Sequence, residues 1–358
     1  MQVTTDLYSH ILGGIYGQAL GDAWAMPAHF HPDQTWAYYN GWLDRFWPAS
    51  PDHPLHAGFR AGQFTDDTQQ ALALAEAIIA GGQITVEEAA RALLAWYERV
   101  QGEDVAYISH NTHQALAALK SGSDPRLTGT RGYTDGGAKR VSPIGLIHPG
   151  DPETAVADAV IACTPTHFTD VALSGACAVA AAVAQALVPE TTLEEIVNVA
   201  MHAAEVGREH GVIWWGASVG RKIDYAVQLA TDSRFSERDR LQNLYDLIGV
   251  TQAAADSVPC AFGVLAMADG HPVQTAIFAA ALSGNANTVG AMACAIAGAW
   301  HGVEAIPLEH IETLNRANPA YNFEQIAAGL YEIAQRNVQA VKQVDEHSLK
   351  ILLDNYNE

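Results

Sequence analysis

Apolar and polar positions alternate with the period of a helix along most of the 358 residues. From Leu7 to Trp24 the pattern is helical, and Gly13, Gly17 and Gly21 leave one stripe of that helix bare, so another backbone can approach it closely. The same spacing of small residues returns at Gly290, Cys294, Gly298 and Gly302. A helix predicted over 287–301 is therefore a candidate close-packing partner for the first. Thr85 with Glu88 forms a capping-box start for a helix running to about Val100. Further helices are predicted over 69–80, 111–120, 152–162, 169–187, 192–206, 216–230, 237–248, 254–268, 272–282, 308–316 and 322–343. No sustained period-two alternation bounded by turns occurs, so strands are expected to be few or absent. Two stretches break the pattern. Residues 28–63 carry Trp36, Tyr38, Tyr39, Trp42, Phe46 and Trp47 among prolines and glycines, and residues 122–143 are rich in Gly, Thr, Ser and Asp. The aromatics of the first stretch either cover a core or offer Trp36, Tyr38 or Trp42 for stacking on a base. No linker or composition break divides the chain, which reads as one all-α domain over 1–358.

The first irregular stretch ends at Phe64-Thr65-Asp66-Asp67-Thr68, where Thr65 is placed to cap the next helix and both aspartates fall in its first turn. Taken alone, an acidic first turn complements the helix dipole and nothing more. A second stretch, Gly284-Asn285-Ala286-Asn287-Thr288, also opens a small-residue helix with oxygen-bearing side chains at alternate positions. If the two starts meet, they form a candidate site for a hard metal ion. Such a cation takes about six oxygen ligands, and a capping Thr with two adjacent carboxylates supplies three. The carboxylates must overcome the positive end of the helix, whose amides in turn suit a phosphate. A ribose diol or a diphosphate is a ligand of the right chemistry.

Composition narrows the classes. At 49% hydrophobic and 16% charged residues the chain is a soluble globular protein with a large core, and its net charge of −21 argues against sequence-independent nucleic-acid binding and against an anionic membrane face. Cys163, Cys177, Cys260 and Cys294 are scattered singly, the pattern of buried free thiols in a reducing compartment. The start lacks a basic region followed by an apolar one, and the apolar run Val171 to Val188 contains Gln185, which suits a core helix and not a membrane span. A cytoplasmic location is expected.

Five segments together carry a resemblance: Gly17 to Ala23, Phe64 to Thr68 with Ala71 to Ala75, Gly136 to Pro143, Thr166-His167, and Gly284 running on to Gly302. In this order the chain resembles the ADP-ribosylglycohydrolase family over roughly residues 10–305, and the stretch Gly41 to Phe46 is similar to a bacterial branch. The resemblance implies an all-α, orthogonally packed multi-helix bundle that hydrolyses the N-glycosidic bond between ADP-ribose and an acceptor, with a pair of magnesium or manganese ions in a cleft. It assigns Thr65, Asp66 and Asp67 to one ligand set and Asn285, Asn287 and Thr288 to the other. It also places Gly136, Gly137, Ala138 and Arg140 near the ribosyl phosphate. His167 either bonds a substrate oxygen or is a structural residue at a helix start.

Two departures qualify the match. The family's second motif is Asp-x-Asp-Thr, and Asn285 and Asn287 stand at both acidic places, which removes two negative charges. Four carboxylates balance two divalent ions, whereas two balance one, so one weakly bound Mg²⁺, Mn²⁺ or Ca²⁺ ion is expected, or none. Many relatives carry a catalytic or gating Glu where this chain has His29, whose imidazole can do acid–base work near neutral pH. The expected activity is attack of water at C1 of the ribose of an ADP-ribosylated or nucleoside-like substrate, with Asp66 or Asp67 activating the water. The alternative is a relative of low or no activity that binds a ribosyl ligand on a small molecule or protein. Asp22 is expected to be a structural acid at a helix end.

Overall fold

A computed structural model describes residues 3–356 and is built from helices. In chain order they are α1 (Val3–Ala25), α2 (Pro32–Tyr39), α3 (Asp66–Gly81), α4 (Val86–Arg99), α5 (His110–Lys120), α6 (Pro125–Thr128) and α7 (Ser142–Leu146). There follow α8 (Pro152–Cys163), α9 (Asp170–Ala186), α10 (Leu193–Arg208), α11 (Val219–Thr231), α12 (Glu237–Asn243) and α13 (Ala254–Met267). The last are α14 (Pro272–Leu282), α15 (Ala286–His301), α16 (Leu308–Ala317) and α17 (Phe323–Tyr356). The only extended pairings among the described residues are two isolated bridges, Thr134 with Ala253 and Thr169 with Val212.

Local chemistry accounts for most boundaries. Hydroxyls of Thr65, Thr85, Ser109, Thr169, Thr192, Ser218 and Ser236 each accept a backbone N–H at a helix start, relieving one of the donors that the first turn leaves unpaired. The irregular stretch 28–63 differs from expectation in holding one short helix, α2. Pro32 opens it, and Asn40 closes it in the left-handed conformation. The helix expected over 237–248 changes after Asn243 into a π turn, Leu244–Ile248, closed by Gly249.

The core is organised by small residues. All of α9 except Gln185 is buried, and this helix runs between α8, α10 and α13. Among the described residues no helix is long and apolar enough to cross a membrane. The tightest contact is that of α1 with α15. A methyl group placed on Gly13, Gly17 or Gly21 would overlap the carbonyls of Gly298, Cys294 and Gly290 respectively, so the two helices run antiparallel with backbone against backbone. The stripe of small residues expected to pair with α1 does so.

That register fixes where two other chain segments end up. Asp22 follows the last glycine of the stripe on α1, and the start of α15 lies one turn before Gly290. Gly17→Ala is expected to lower stability by at least ~1–3 kcal/mol, the range for overpacking, because the methyl meets a carbonyl that cannot move aside. Gly14→Ala should cost less, since its methyl meets the movable Leu146 side chain at 2.7 Å. Urea denaturation midpoints of the two variants measure the difference, and equal midpoints would remove the backbone-contact account.

Candidate functional site

Asp22 ties the end of α1 to the start of α3. Its carboxylate accepts from the backbone N–H groups of Thr65 (3.0 Å) and Thr68 (3.1 Å) and from both of their hydroxyls, at 2.9 and 2.7 Å. Burial and the neighbouring Asp67 push its pKa well up, and the hydrogen bonds from the two threonines oppose that rise. The expected structural acid is therefore present, with a role in another helix: it caps α3.

The α3 start then points its own acids into the interior, where Asp66 is 2% and Asp67 0% exposed. Between them lies Lys139, whose Nζ donates to Asp66 Oδ2 at 2.7 Å and to Asp67 Oδ1 at 2.5 Å. Lys139 belongs to a tight turn, Ala138–Arg140. Its N–H donates to the Asp135 carbonyl at 2.9 Å, and its own carbonyl accepts from Gln18 Nε2 at 2.8 Å. The same Gln18 amide donates to the carbonyl of Asp67, which locks the two segments together. Burial works against the ammonium charge, but Asp66, Asp67 and Asp135 outweigh it and hold the pKa above its ordinary value.

The α15 start closes the cluster from the other side. Asn287 Nδ2 donates to Asp67 Oδ2 (3.0 Å) and to Thr65 Oγ1 (3.2 Å), and Thr288 Oγ1 donates to the same Asp67 oxygen at 2.7 Å. Asn285 turns to Asp135, donating to Oδ2 at 2.6 Å. This start is set by Gly284, at φ +68°, whose N–H donates to the carbonyl of His29 and whose Cα lies against the carbonyl of Val250. A Cβ there would meet that carbonyl at 2.6 Å.

The two distant helix starts thus meet, as the sequence requires of a shared site. Both oxygens of Asp67 are bonded, whereas Asp66 uses only Oδ2, which also accepts from Gln70 at 2.7 Å; its Oδ1 has no hydrogen-bond partner among the described residues. Burial raises the Asp66 pKa to about 6 against the pull of Lys139, and burial raises that of Asp135 to about 7. Asn285 and Asn287 are half-buried and form the more accessible edge.

Other candidate residues stand elsewhere or face inward. The ring of His29 lies against Tyr38, Tyr39 and His53, not against the two aspartates. Arg140 and His167 are 0% exposed. Arg140 donates to Gln70 Oε1 at 3.1 Å and to the Thr166 hydroxyl, and His167 bonds the hydroxyls of Thr134 and Thr166 at 2.9 and 2.8 Å. Burial and the charges of Arg140 and Lys139 keep His167 neutral. Gly136 and Gly137 leave room for the His167 ring and the Cys163 sulfur, and Ala138 is buried. The hydrogen bonds that Arg140 and His167 make lie inside the protein and hold the Lys139 turn against α3 and residues 164–167, while Arg140 Nε is buried with no partner among the described residues. Sequence reasoning missed Asp135, and it gave Lys139 no role of its own within the Gly136 to Arg140 loop. The available signal was a second cation beside Arg140 at the end of a segment rich in Gly, Thr, Ser and Asp.

The aromatic stretch covers this region. His56 stacks on His53 (4.9 Å between ring centres), and Phe59 and Tyr107 pack beside it. Tyr38, Tyr39, Trp47 and Phe59 line a cleft of about 1020 Å³. Trp42 packs on Phe278, and the Arg238 guanidinium lies 4.5 Å over the Trp36 ring, so of the three stacking candidates Tyr38, half-exposed, has the most open face.

The donors around the cluster do not suit a hard divalent cation as they stand. Among the described residues no three His, Cys, Asp or Glu side chains are grouped to hold a metal ion. The Asp oxygens that would ligate one already accept N–H or O–H groups from Lys139, Gln70, Asn287 and Thr288, apart from Asp66 Oδ1.

Comparison with known proteins agrees with the fold. The family model described as ADP-ribosylglycohydrolase matches residues 3–341. The chain is 32% identical over 331 residues to YegU, an uncharacterized protein of Escherichia coli K12, with 91% of this chain and 97% of the relative covered. It is 24% identical over 312 residues to the ADP-ribosylhydrolase ARH3 of Bos taurus, covering 80% of this chain and 83% of the relative. A solved structure titled "ADP-ribosylglycohydrolase-related protein complex" superposes with a TM-score of 0.67 at 21% identity, over 92% of this chain and 99% of that one.

His56 gives the covering segment a pH response. Its Nδ1–H donates to the Met26 carbonyl at 2.9 Å, and burial lowers its pKa from 6.5 to about 4. At pH 7 the imidazole is neutral folded or unfolded. Below about 6.5 the unfolded chain takes up a proton that the folded chain refuses, so stability is lost as pH falls towards 4. His56→Gln, which does not titrate, is expected to lose ~2–3 kcal/mol less over that interval in guanidinium unfolding. Parallel pH profiles for the variant and the wild type would refute the assignment.

Proposed function

The chain belongs to the ADP-ribosylglycohydrolase family, and from that premise we propose that it hydrolyses the N-glycosidic bond at C1 of the ribose in an ADP-ribosylated or nucleoside-like substrate. The family supports hydrolase activity of this general type, and its members typically use divalent metal ions. The observation that carries the finer reading is the state of Asp66. It is a buried acid with one oxygen anchored by Lys139 and Gln70, one oxygen free, and a pKa raised to about 6.

In this reading Asp66 Oδ1 holds and deprotonates the attacking water, the task for which a carboxyl poised near neutral pH is suited. Asp67, fixed by Lys139, Asn287 and Thr288, contributes negative charge as positive charge develops on the ribose ring. Asn285 and Asn287, at the accessible edge, bind ribose hydroxyls through their amides. Arg140 and His167 act as positioning residues, keeping the Lys139 turn in place. His29 supports the α15 start through its backbone carbonyl.

A second reading, a ribosyl-binding protein with little turnover, draws on the amides at both acidic places of the second motif and on the full set of bonds to Asp67. Asp66→Asn is expected to lower kcat by about 10²–10⁴ on ADP-ribosylated peptides while leaving the helical fold, read by circular dichroism, and the thermal shift with ADP-ribose in place. The wild-type rate should rise as pH passes through about 6. Hydrolysis by Asp66→Asn at the wild-type rate would rule out the assignment. A thermal shift with ADP-ribose and no turnover by the wild type would favour the binder.

A further inference from the structure

The position a metal ion would take between Asp66 and Asp67 is held by a side chain of the protein itself. Lys139 Nζ lies 2.7 Å from Asp66 Oδ2 and 2.5 Å from Asp67 Oδ1, and the residue is 6% exposed. A divalent ion would need those same oxygens at about 2.0–2.6 Å, so the ammonium and the ion exclude each other. The α15 side has changed in the same sense. Asn287 and Asn285 present N–H donors, not anionic oxygens, to Asp67 and Asp135.

These changes compensate one another electrostatically. Asn at both acidic places of the second motif removes two negative charges, and Lys139 supplies one positive charge to the two aspartates that remain on α3. Two carboxylates and one ammonium leave a net charge of −1, whereas two carboxylates alone, buried and this close together, would repel. The lysine is also built in. Its carbonyl is held by Gln18, whose Oε1 accepts from the Ser142 hydroxyl, and its N–H is held by the Asp135 carbonyl. Two of its three ammonium protons go to Asp66 and Asp67, and the third has no partner among the described residues.

We propose that Lys139 is the resident cation of this site, standing in for the divalent metal of the family and offering its third N–H to a hydroxyl or phosphate oxygen of the ligand. The inference concerns the cation and rests on the family's use of metal, not on turnover, so it stands or falls separately from the glycosidase reading.

The test is a Mn²⁺ titration followed by electron paramagnetic resonance, with Mg²⁺ and Ca²⁺ thermal shifts beside it, on the full chain. Wild type is expected to show no saturable Mn²⁺ site up to about 1 mM, the weak end of the range for built sites. Asn285→Asp/Asn287→Asp with Lys139 kept should gain nothing comparable, because the ammonium still blocks the α3 oxygens. The same pair combined with Lys139→Met should gain at least about 100-fold in Mn²⁺ affinity and a metal-dependent rise in melting temperature. One tightly bound Mn²⁺ per wild-type chain, or full gain by the double variant without the Lys139 change, would overturn the proposal. Should the triple variant fold only when Mn²⁺ is added, that too supports it, since the ion then does what the ammonium did.

Discussion

Where α1 and α15 cross, carbonyl oxygens lie against bare glycine Cα atoms, and this approach sets the distances on which the site depends. Gly13, Gly17 and Gly21 face Gly298, Cys294 and Gly290 in antiparallel register. The contact brings the Asp22 end of α1 beside the first turn of α15. Asp22 then captures the start of α3 with four hydrogen bonds, and Asn287 and Thr288 reach Asp67 from α15. Hydrogen bonds tolerate only a few tenths of an ångström. A side chain in the α1–α15 contact would spread the helices by more than that and part the two helix starts.

With the geometry set, charge decides what the cavity can hold. Two helix N-termini favour nearby anions, yet burying Asp66 and Asp67 together costs more than the dipoles return unless a cation joins them. Lys139 is that cation, and the partners around it meet the usual condition for a buried ion pair, that the remaining donors and acceptors be satisfied. Gln18, Gln70, Asn287, Thr65 and Thr288 supply those bonds. The exceptions among the described residues are Asp66 Oδ1 and the third N–H of Lys139. An otherwise saturated cluster with one free carboxylate oxygen and one free N–H is an arrangement in which a single acid can act on a ligand while its neighbours stay fixed.

Helix positions were largely legible because they rest on local chemistry. Thr85 and Glu88 form the expected start of α4, Thr65 caps α3, and Pro272–Leu282 has the bounds that the apolar pattern marks. The pairing of α1 with α15 was legible for a similar reason, since a stripe without side chains has few uses besides close approach. Less legible was the part of the site that depends on which way a long side chain turns. Lys139 and Arg140 are adjacent in sequence and chemically alike, but one reaches into the acidic cluster and the other to Gln70 and Thr166. His29, marked by its place in a motif, turns towards the aromatic stretch because Tyr38, Tyr39 and His53 surround its ring.

The sequence by itself determined the all-helical class, most helix starts, the small-residue stripes that make two helices candidates for close packing and the two polar helix starts that could build a shared site. These follow from periodicity, capping and the absence of side chains, all readable within a few residues. Only the tertiary structure decided that Asp22 caps a helix 43 residues away, that Asp135 joins the cluster, and that Lys139 lies between Asp66 and Asp67. Those outcomes depend on long-range packing and on the balance of charge inside a buried volume, where a flexible ammonium goes to the carboxylates that most need it.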